Sequence, residues 1–141
     1  MKYFFDTTVL VAGILEEHQH HDPSFLALST AIRSSAFCAA HNVAEVYATL
    51  TRYPGKQRLS AQQALLAVSV IEDRFSIVAL DTREYLDAIR RFADIGITGG
   101  TMYDGLIAAC ALKAKADILY TWNIGHFVLL GDEIAQKVRN P

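Results

Sequence analysis

The sequence predicts an α/β fold with a mainly parallel sheet, and two observations support this prediction. Short apolar runs typical of buried strands lie at residues 2–5, 36–40, 75–80 and 118–121. Between them lie longer segments whose apolar side chains are three or four residues apart, which is the spacing of a helix. Such alternation of strands and helices is typical of βαβ units, in which the strands are parallel.

The predicted helices follow one another between these strands. They comprise residues 8–17, 24–34, 43–53, 61–73, 83–93 and 104–114. Ser60 and Gln63 have the spacing of a capping box, which predicts a helix start directly after Ser60. Segments 53–58 and 95–100 contain turn-forming residues and are predicted to be loops. Because nothing resembles an interdomain linker, we expect one domain over residues 1–141.

Composition limits the classes of function that the chain can have. Its 13 Lys and Arg against 15 Asp and Glu give a net charge of −2, so it lacks the basic surface of a general nucleic-acid binder. Any contact with nucleic acid must therefore be local or metal-assisted. No apolar run is long enough to span a membrane, and Cys38 and Cys110 lack metal-site spacing. These features favour a protein of the reducing cytoplasm.

Polar residues follow the first and last of the four predicted strands. Asp6 ends the first apolar run, and Thr121 and Asn123 end the last. Ligands of α/β sheets bind outside the carboxyl ends of the strands, so these positions are candidates for a functional site. If the last strand continues to Asn123, the two polar side chains share one face. Alternatively, Asp6 only caps the helix that begins near Thr8.

Two further acids open predicted helices. Glu45 lies among small and apolar residues, although an Asn42–Glu45 capping box would explain it without any function. Asp104 precedes an almost wholly apolar helix, and Thr101 could be the N-cap of that helix, leaving Asp104 to compensate the helix dipole. Since all of these polar residues map to strand ends or first helical turns, the set favours a common site.

Clustered carboxylates repel one another unless a cation neutralises them. Hard oxygen ligands without imidazole favour Mg²⁺ or Mn²⁺. Protein-bound Mg²⁺ commonly takes further ligands from substrate phosphates, so such a site indicates phosphoryl chemistry. The ion can activate water and stabilise the leaving oxygen.

Four segments in this order and spacing resemble the PIN-domain nucleases over roughly residues 2–130: FFDTTVLV, NVAEVYATL, MYDGLIAACAL and ILYTWNIGHF. The small size and the last of these segments are most similar to VapC-type toxins of bacterial toxin–antitoxin pairs. The resemblance implies a three-layer α/β/α sandwich and an endoribonuclease that depends on Mg²⁺, for which Mn²⁺ can substitute. It also implies an RNA substrate, a cognate antitoxin and a homodimer in the cytoplasm.

The same resemblance implies roles for individual residues. Asp6, Glu45 and Asp104 match the acids of the family and would be catalytic metal ligands, although Glu45 could instead act as a base. Asn123 stands where the family has a further acid or Asn, and it would belong to the catalytic set. Because Asn123 carries no charge, binding of a second metal ion is disfavoured.

Two threonines would support this site. Thr8 would orient the Asp6 carboxylate through its hydroxyl, and Thr121 matches a threonine of the family. Thr8 also bears on an alternative, because phosphatases of the haloacid dehalogenase type want a second Asp at that position. A second alternative is a catalytically weak PIN-like module that binds only a protein partner, with Asn123 marking the weakened site.

Other polar segments are left outside the predicted site. The histidine-rich segment 16–23 lacks the paired-ligand spacing of a zinc site. His126 could contact RNA, but the start of a helix explains it equally well. Arg52, Lys56 and Arg58 could attract RNA phosphates, although solvated surface charge is the simpler interpretation.

Overall fold

Five parallel strands form the centre of the computed structural model, which describes residues Met1 to Pro141. They are β1 (Tyr3–Phe5), β2 (Ala36–Ala39), β3 (Ser76–Val78), β4 (Ile118–Tyr120) and β5 (Val138–Arg139). The spatial order is β3-β2-β1-β4-β5, and every neighbouring pair is parallel. The predicted α/β class is confirmed, and the sheet is parallel throughout. The short β5 was not predicted.

Eight helices accompany the sheet. They are α1 (Thr7–Ile14), α2 (His21–Ser29), α3 (Ala40–Arg52), α4 (Ala61–Arg74), α5 (Thr82–Asp94), α6 (Thr101–Lys113), α7 (Ile124–Val128) and α8 (Asp132–Ala135). A single 3₁₀ turn, Gly55–Gln57, lies in the predicted loop after α3. No helix has both the length and the apolar character needed to cross a membrane.

The bounds of four helices differ from the prediction by three residues or more, and two of these, predicted to start at residues 43 and 104, begin at Ala40 and Thr101. The helix predicted at 24–34 begins at His21 and ends at Ser29, because the chain then turns and the Thr30 hydroxyl bonds back to the Leu26 and Ala27 carbonyls. The first helix was predicted to reach residue 17 but ends at Ile14. The predicted capping box at the start of α4 is confirmed, with both of its hydrogen bonds formed.

Helices cover both faces of the sheet. Phe4 and Leu119 face a core cluster that includes residues of α5, α6, α7 and α8. Phe5 and Cys38 face a second cluster, which includes residues of α1, α3 and α4. Adjacent residues of a strand thus enter opposite cores, as the strand period requires. This arrangement confirms the three-layer α/β/α sandwich.

The switch point of the sheet lies between β1 and β4. The chain runs from β1 outward to β2 and β3, then returns to β4 on the other side of β1. At this point the amide of Asp6 donates to the Tyr120 carbonyl at 3.0 Å, which joins the carboxyl ends of the two strands. Crevices at such switch points are where open α/β sheets bind ligands.

Gly105→Ala is expected to destabilise the fold, although alanine normally stabilises a helix more than glycine does. A Cβ at Gly105 would lie 2.7 Å from Cδ2 of the fully buried Phe92. Such overpacking costs about 1–3 kcal/mol, measurable by urea unfolding. Gly125→Ala is the matched control, because nothing lies within 4 Å of its added Cβ. Equal or greater stability of Gly105→Ala would contradict this packing.

Candidate active site

Asp6 lies directly after β1 and is 3% exposed. It holds the N-cap position of α1 but makes no side-chain capping bond. Instead its Oδ2 accepts hydrogen bonds from Thr121 Oγ1 at 2.8 Å and from Thr8 Oγ1 at 2.9 Å. Burial raises the pKa of the Asp6 carboxyl, and the two hydroxyl bonds partly oppose this rise. The side chain is therefore a buried acid that two threonine hydroxyls orient.

Thr121 and Asn123 do not share a strand face, because β4 ends at Tyr120. Asn123 is the exposed residue that precedes α7. The two residues are nevertheless joined, since the backbone N–H of Asn123 donates to Thr121 Oγ1 at 2.9 Å. Thr8 Oγ1 lies 3.3 Å from the same hydroxyl and accepts from the Trp122 amide. The segment after β4 is thus fastened to the residues that orient Asp6.

Glu45 projects from α3 and is held by a chain of hydrogen bonds. The predicted Asn42–Glu45 capping box is wrong, because the N-cap is Ala39 and Asn42 Oδ1 accepts from the Ala39 amide at 2.8 Å. The side-chain Nδ2 of Asn42 donates to Thr7 Oγ1 at 3.0 Å, and the Thr7 hydroxyl donates to Glu45 Oε1 at 2.9 Å. Since Thr7 adjoins Asp6, these bonds hold Glu45 beside the end of β1.

Asp104 lies in the first turn of α6. The helix begins at Thr101 itself and its N-cap is Gly100, so the predicted Thr101 cap is wrong. The side chain of Asp104 is 20% exposed, and its Oδ2 lies 3.3 Å from Nδ1 of His126 on α7. This pairing joins α7 to α6 through a residue outside the predicted set.

The charges of Asp6 and Glu45 both act on Asp104. The pKa of Asp104 is raised to about 6, first by burial and then by the negative charge of Asp6. Glu45 raises it further, whereas His126 acts in the opposite direction. Asp104 therefore experiences both other carboxylates. Two histidines lie beside the acids, since His41 Nε2 is 3.8 Å from Glu45 Oε1 and His126 is paired with Asp104.

Thr7, Asn42 and His126 were missed as members of this site. Thr7 and Asn42 lie one and three residues from predicted site residues, yet their roles depend on side-chain contacts between α1 and α3. His126 was noted but left out, and only the packing of α7 beside α6 brings it to Asp104. The spacing of these residues in the sequence does not indicate any of these contacts.

The acids fit a divalent cation in chemistry and charge. Their oxygens are the hard ligands that Mg²⁺ and Mn²⁺ prefer. Burial raises the pKa of Asp104 most, and the charges of Asp6 and Glu45 raise it further; a cation would relieve that repulsion. No group of three or more His, Cys, Asp or Glu side chains is already arranged as a metal site. Glu45 is instead bonded to Thr7, and Asp104 is paired with His126.

Without added metal, Asp104 is expected to make the fold less stable at neutral than at acid pH. In the folded protein the pKa of Asp104 is about 6, above the ordinary value of 3.8. The stability that Asp104 contributes is therefore fully present below about pH 3.8 and is lost as the pH rises through about 6. We expect Asp104→Asn to raise the free energy of unfolding at about pH 7.5 by about 1–2 kcal/mol, after allowance for solvent screening. Below about pH 4 the gain should vanish.

Urea unfolding of EDTA-treated protein across this pH range measures the effect. Asp94→Asn is a control, because Asp94 is an exposed acid at the end of α5. Parallel pH profiles for the wild type and Asp104→Asn would contradict a raised Asp104 pKa.

The family model for the PIN domain matches residues 3–125. The chain therefore belongs to the PIN-domain family, whose ribonucleases generally depend on a divalent metal ion. It is 33% identical over 114 residues to Ribonuclease VapC40 of Mycobacterium tuberculosis, covering 81% of each chain. The prediction of a VapC-type PIN-domain ribonuclease is confirmed.

Solved structures show the same fold. VapC20 of Mycobacterium tuberculosis, described as a toxin that cleaves the sarcin–ricin loop, superposes with a TM-score of 0.70 at 14% identity. The match covers 86% of this chain and 90% of VapC20. VapBC2 of Rickettsia felis, solved bound to a promoter DNA fragment, gives a TM-score of 0.66 at 20% identity. That match covers 99% and 98% of the two chains.

Proposed function

We propose that the protein is the endoribonuclease toxin of a type II toxin–antitoxin pair and depends on Mg²⁺, for which Mn²⁺ can substitute. The observation that carries this proposal is the convergence of Asp6, Glu45 and Asp104 at the β1–β4 switch point, where Asp104 senses both other charges. Acids that act on one another in this way are suited to a cation, which can in turn bind a phosphate.

Each residue has a specific role in this proposal. Asp6 and Asp104 would hold the cation, and Glu45 would serve as a further ligand or as a base. The ion, when bound, activates water and stabilises the leaving oxygen of the phosphodiester. Thr8 and Thr121 would fix the Asp6 carboxylate by the hydrogen bonds described above.

Asn123 would complete the catalytic set at the exposed end of the β4–α7 connection, where it can contact RNA. Its backbone N–H donates to the Thr121 hydroxyl, which itself donates to Asp6, so the position of the Asn123 backbone is coupled to that of Asp6. The haloacid dehalogenase alternative has no support here, because Thr8 acts as a hydroxyl bridge and supplies no second acid.

An antitoxin is the proposed protein partner, and an apolar groove suits such a partner. The largest surface cavity, of about 450 Å³, lies between α2 and α4, away from the acids. Phe25, Leu66 and Val70 line it and are 55%, 69% and 54% exposed. Exposed apolar surface of this kind marks interaction sites.

We also propose that residues 1–141 act as a single domain and that the chain forms a homodimer in the cytoplasm. One sheet separates both core clusters, which supports a single folding unit. The free, buried Cys38 and Cys110 suit a reducing compartment. Light scattering on the purified chain without antitoxin tests the homodimer, and a monomer mass would contradict it.

Cleavage of mixed cellular RNA tests the nuclease proposal. The purified chain, freed of antitoxin under denaturing conditions and refolded, is incubated with Mg²⁺, Mn²⁺ or EDTA. We expect discrete fragments that require a metal ion, and their sequenced ends identify the target. If neither metal supports cleavage by refolded protein, the alternative of a protein-binding module is favoured.

A further inference from the structure

A second cavity, of about 410 Å³, adjoins the acidic site. Thr7, Thr8 and Asn123 line one side of it, and all three belong to the hydrogen-bonded surroundings of the acids. Unlike the groove between α2 and α4, this cavity is lined mainly by polar and aromatic side chains. A molecule bound at the acids could therefore extend directly into it.

The lining of the cavity also includes an aromatic platform formed by His20 and Trp122. The rings of His20 and Trp122 stack with centroids 3.8 Å apart and planes 8° apart. Trp122 Nε1 donates to the Oγ of the fully buried Ser24, and its backbone amide donates to Thr8 Oγ1. Because Thr8 also bonds Asp6, the platform is held at a fixed position relative to the catalytic acid.

The cavity also offers groups that can hydrogen bond to a flat ligand. Nδ1 of His18 accepts from the His20 amide at 3.0 Å, which places the proton of a neutral His18 ring on Nε2 as a donor. The side chains of Tyr53 and Asn123 line the same cavity. Aromatic rings with nearby donors and acceptors are how proteins bind single nucleobases.

Positive charge lies in the chain segment around Tyr53, which lines the cavity. Arg52, Lys56 and Arg58 are all exposed, and Arg58 Nε donates to the Tyr53 carbonyl at 2.9 Å. These cations can attract the phosphates of a strand that passes from the acids toward the cavity.

We propose that this cavity is a nucleobase subsite: it receives an unpaired base of the RNA beside the phosphate at the acids and stacks it against the His20–Trp122 platform. The inference rests on the proposed ribonuclease function and narrows its substrate class. A base can enter the cavity only when it is unstacked from its neighbours, as in loops, bulges and single strands. RNA in a continuous duplex would be excluded.

Tryptophan fluorescence tests the subsite directly, because Trp122 is the only tryptophan of the chain. Metal-free Asp6→Asn protein, without antitoxin, is titrated with short oligoribonucleotides of A, C or U, with a mixed sequence containing G, and with an abasic oligomer of equal length. We expect saturable quenching by at least one base-containing oligomer and at least 10-fold weaker binding of the abasic oligomer. Equal binding of base-containing and abasic oligomers, or no quenching of Trp122 by any oligomer, would overturn the subsite.

Variants of His20 test whether its ring contributes to base binding at the platform. His20→Ala should weaken binding of the quenching oligomer by about 10- to 100-fold, whereas His20→Phe, which keeps a flat ring, should largely restore it. Unchanged affinity in His20→Ala would overturn the role of the platform. Circular dichroism shows whether each variant is folded.

The two proposals can fail separately. Metal-dependent cleavage by the wild type without base-dependent quenching would keep the nuclease and reject the subsite. Base-dependent quenching without cleavage under any metal condition would support nucleotide binding and reject the nuclease.

Discussion

Asp6→Asn is expected to lower the rate of metal-dependent RNA cleavage by on the order of 10³-fold, more than the 10- to 100-fold loss typical of outer-shell partners of a metal. The substitution keeps the size of the side chain and leaves an oxygen to accept from Thr8 and Thr121. It removes the charge that would hold the cation. The loss should therefore come without loss of the fold.

Cleavage of a fixed RNA under saturating metal measures this effect, with circular dichroism as the test of folding. Asp94→Asn is the matched control, since Asp94 is exposed and lies at the far end of α5. It should cleave at the wild-type rate. Wild-type activity of Asp6→Asn would mean that cleavage does not depend on this carboxylate.

Thr121→Val has the second-largest expected effect, a 10- to 100-fold loss of cleavage rate. Thr121 is fully buried, and its hydroxyl donates to Asp6 and accepts from the Asn123 amide. Valine has nearly the same shape but makes neither bond. It leaves a backbone N–H without its partner and a buried carboxylate less well oriented.

A shift in the pH–rate profile distinguishes positioning from general destabilisation. The Thr121 hydroxyl bond lowers the pKa of Asp6, so its loss should raise that pKa further and move the acid limb of the profile to higher pH. Thr121→Ser keeps the hydroxyl and should preserve the wild-type profile. An unchanged profile and rate in Thr121→Val would contradict a role for this bond.

Most of the fold could be predicted from the sequence because four of its strands lie in short apolar runs, and β1, β2 and β4 are largely buried. The helices between them have clear apolar spacing, and the capping box at Ser60 marks one start correctly. The strand at Val138–Arg139 has only two residues, which is too short for a pattern. The early end of α2 depends on backbone-directed bonds from Thr30, which apolar spacing does not reveal.

The location of the acids could also be predicted, because strand ends in a parallel sheet meet at one edge. The pairing of their side chains could not. Glu45 bonds to Thr7 and Asp104 lies against His126, and both contacts depend on how helices pack against one another. The same packing creates the stack of His20 on Trp122, which brings together residues about a hundred positions apart in the chain.

The location of bound Mn²⁺ in a crystal of the purified chain tests the central claim most directly. Anomalous scattering identifies the ion independently of its surroundings. We predict a peak at the carboxyl edge of the sheet, in contact with Asp6 and Asp104, which turns away from His126 to reach it. The peak should disappear in Asp6→Asn crystals soaked under the same conditions. A fully occupied peak elsewhere, such as at the histidines of segment 16–23, with none at the acids would contradict the account.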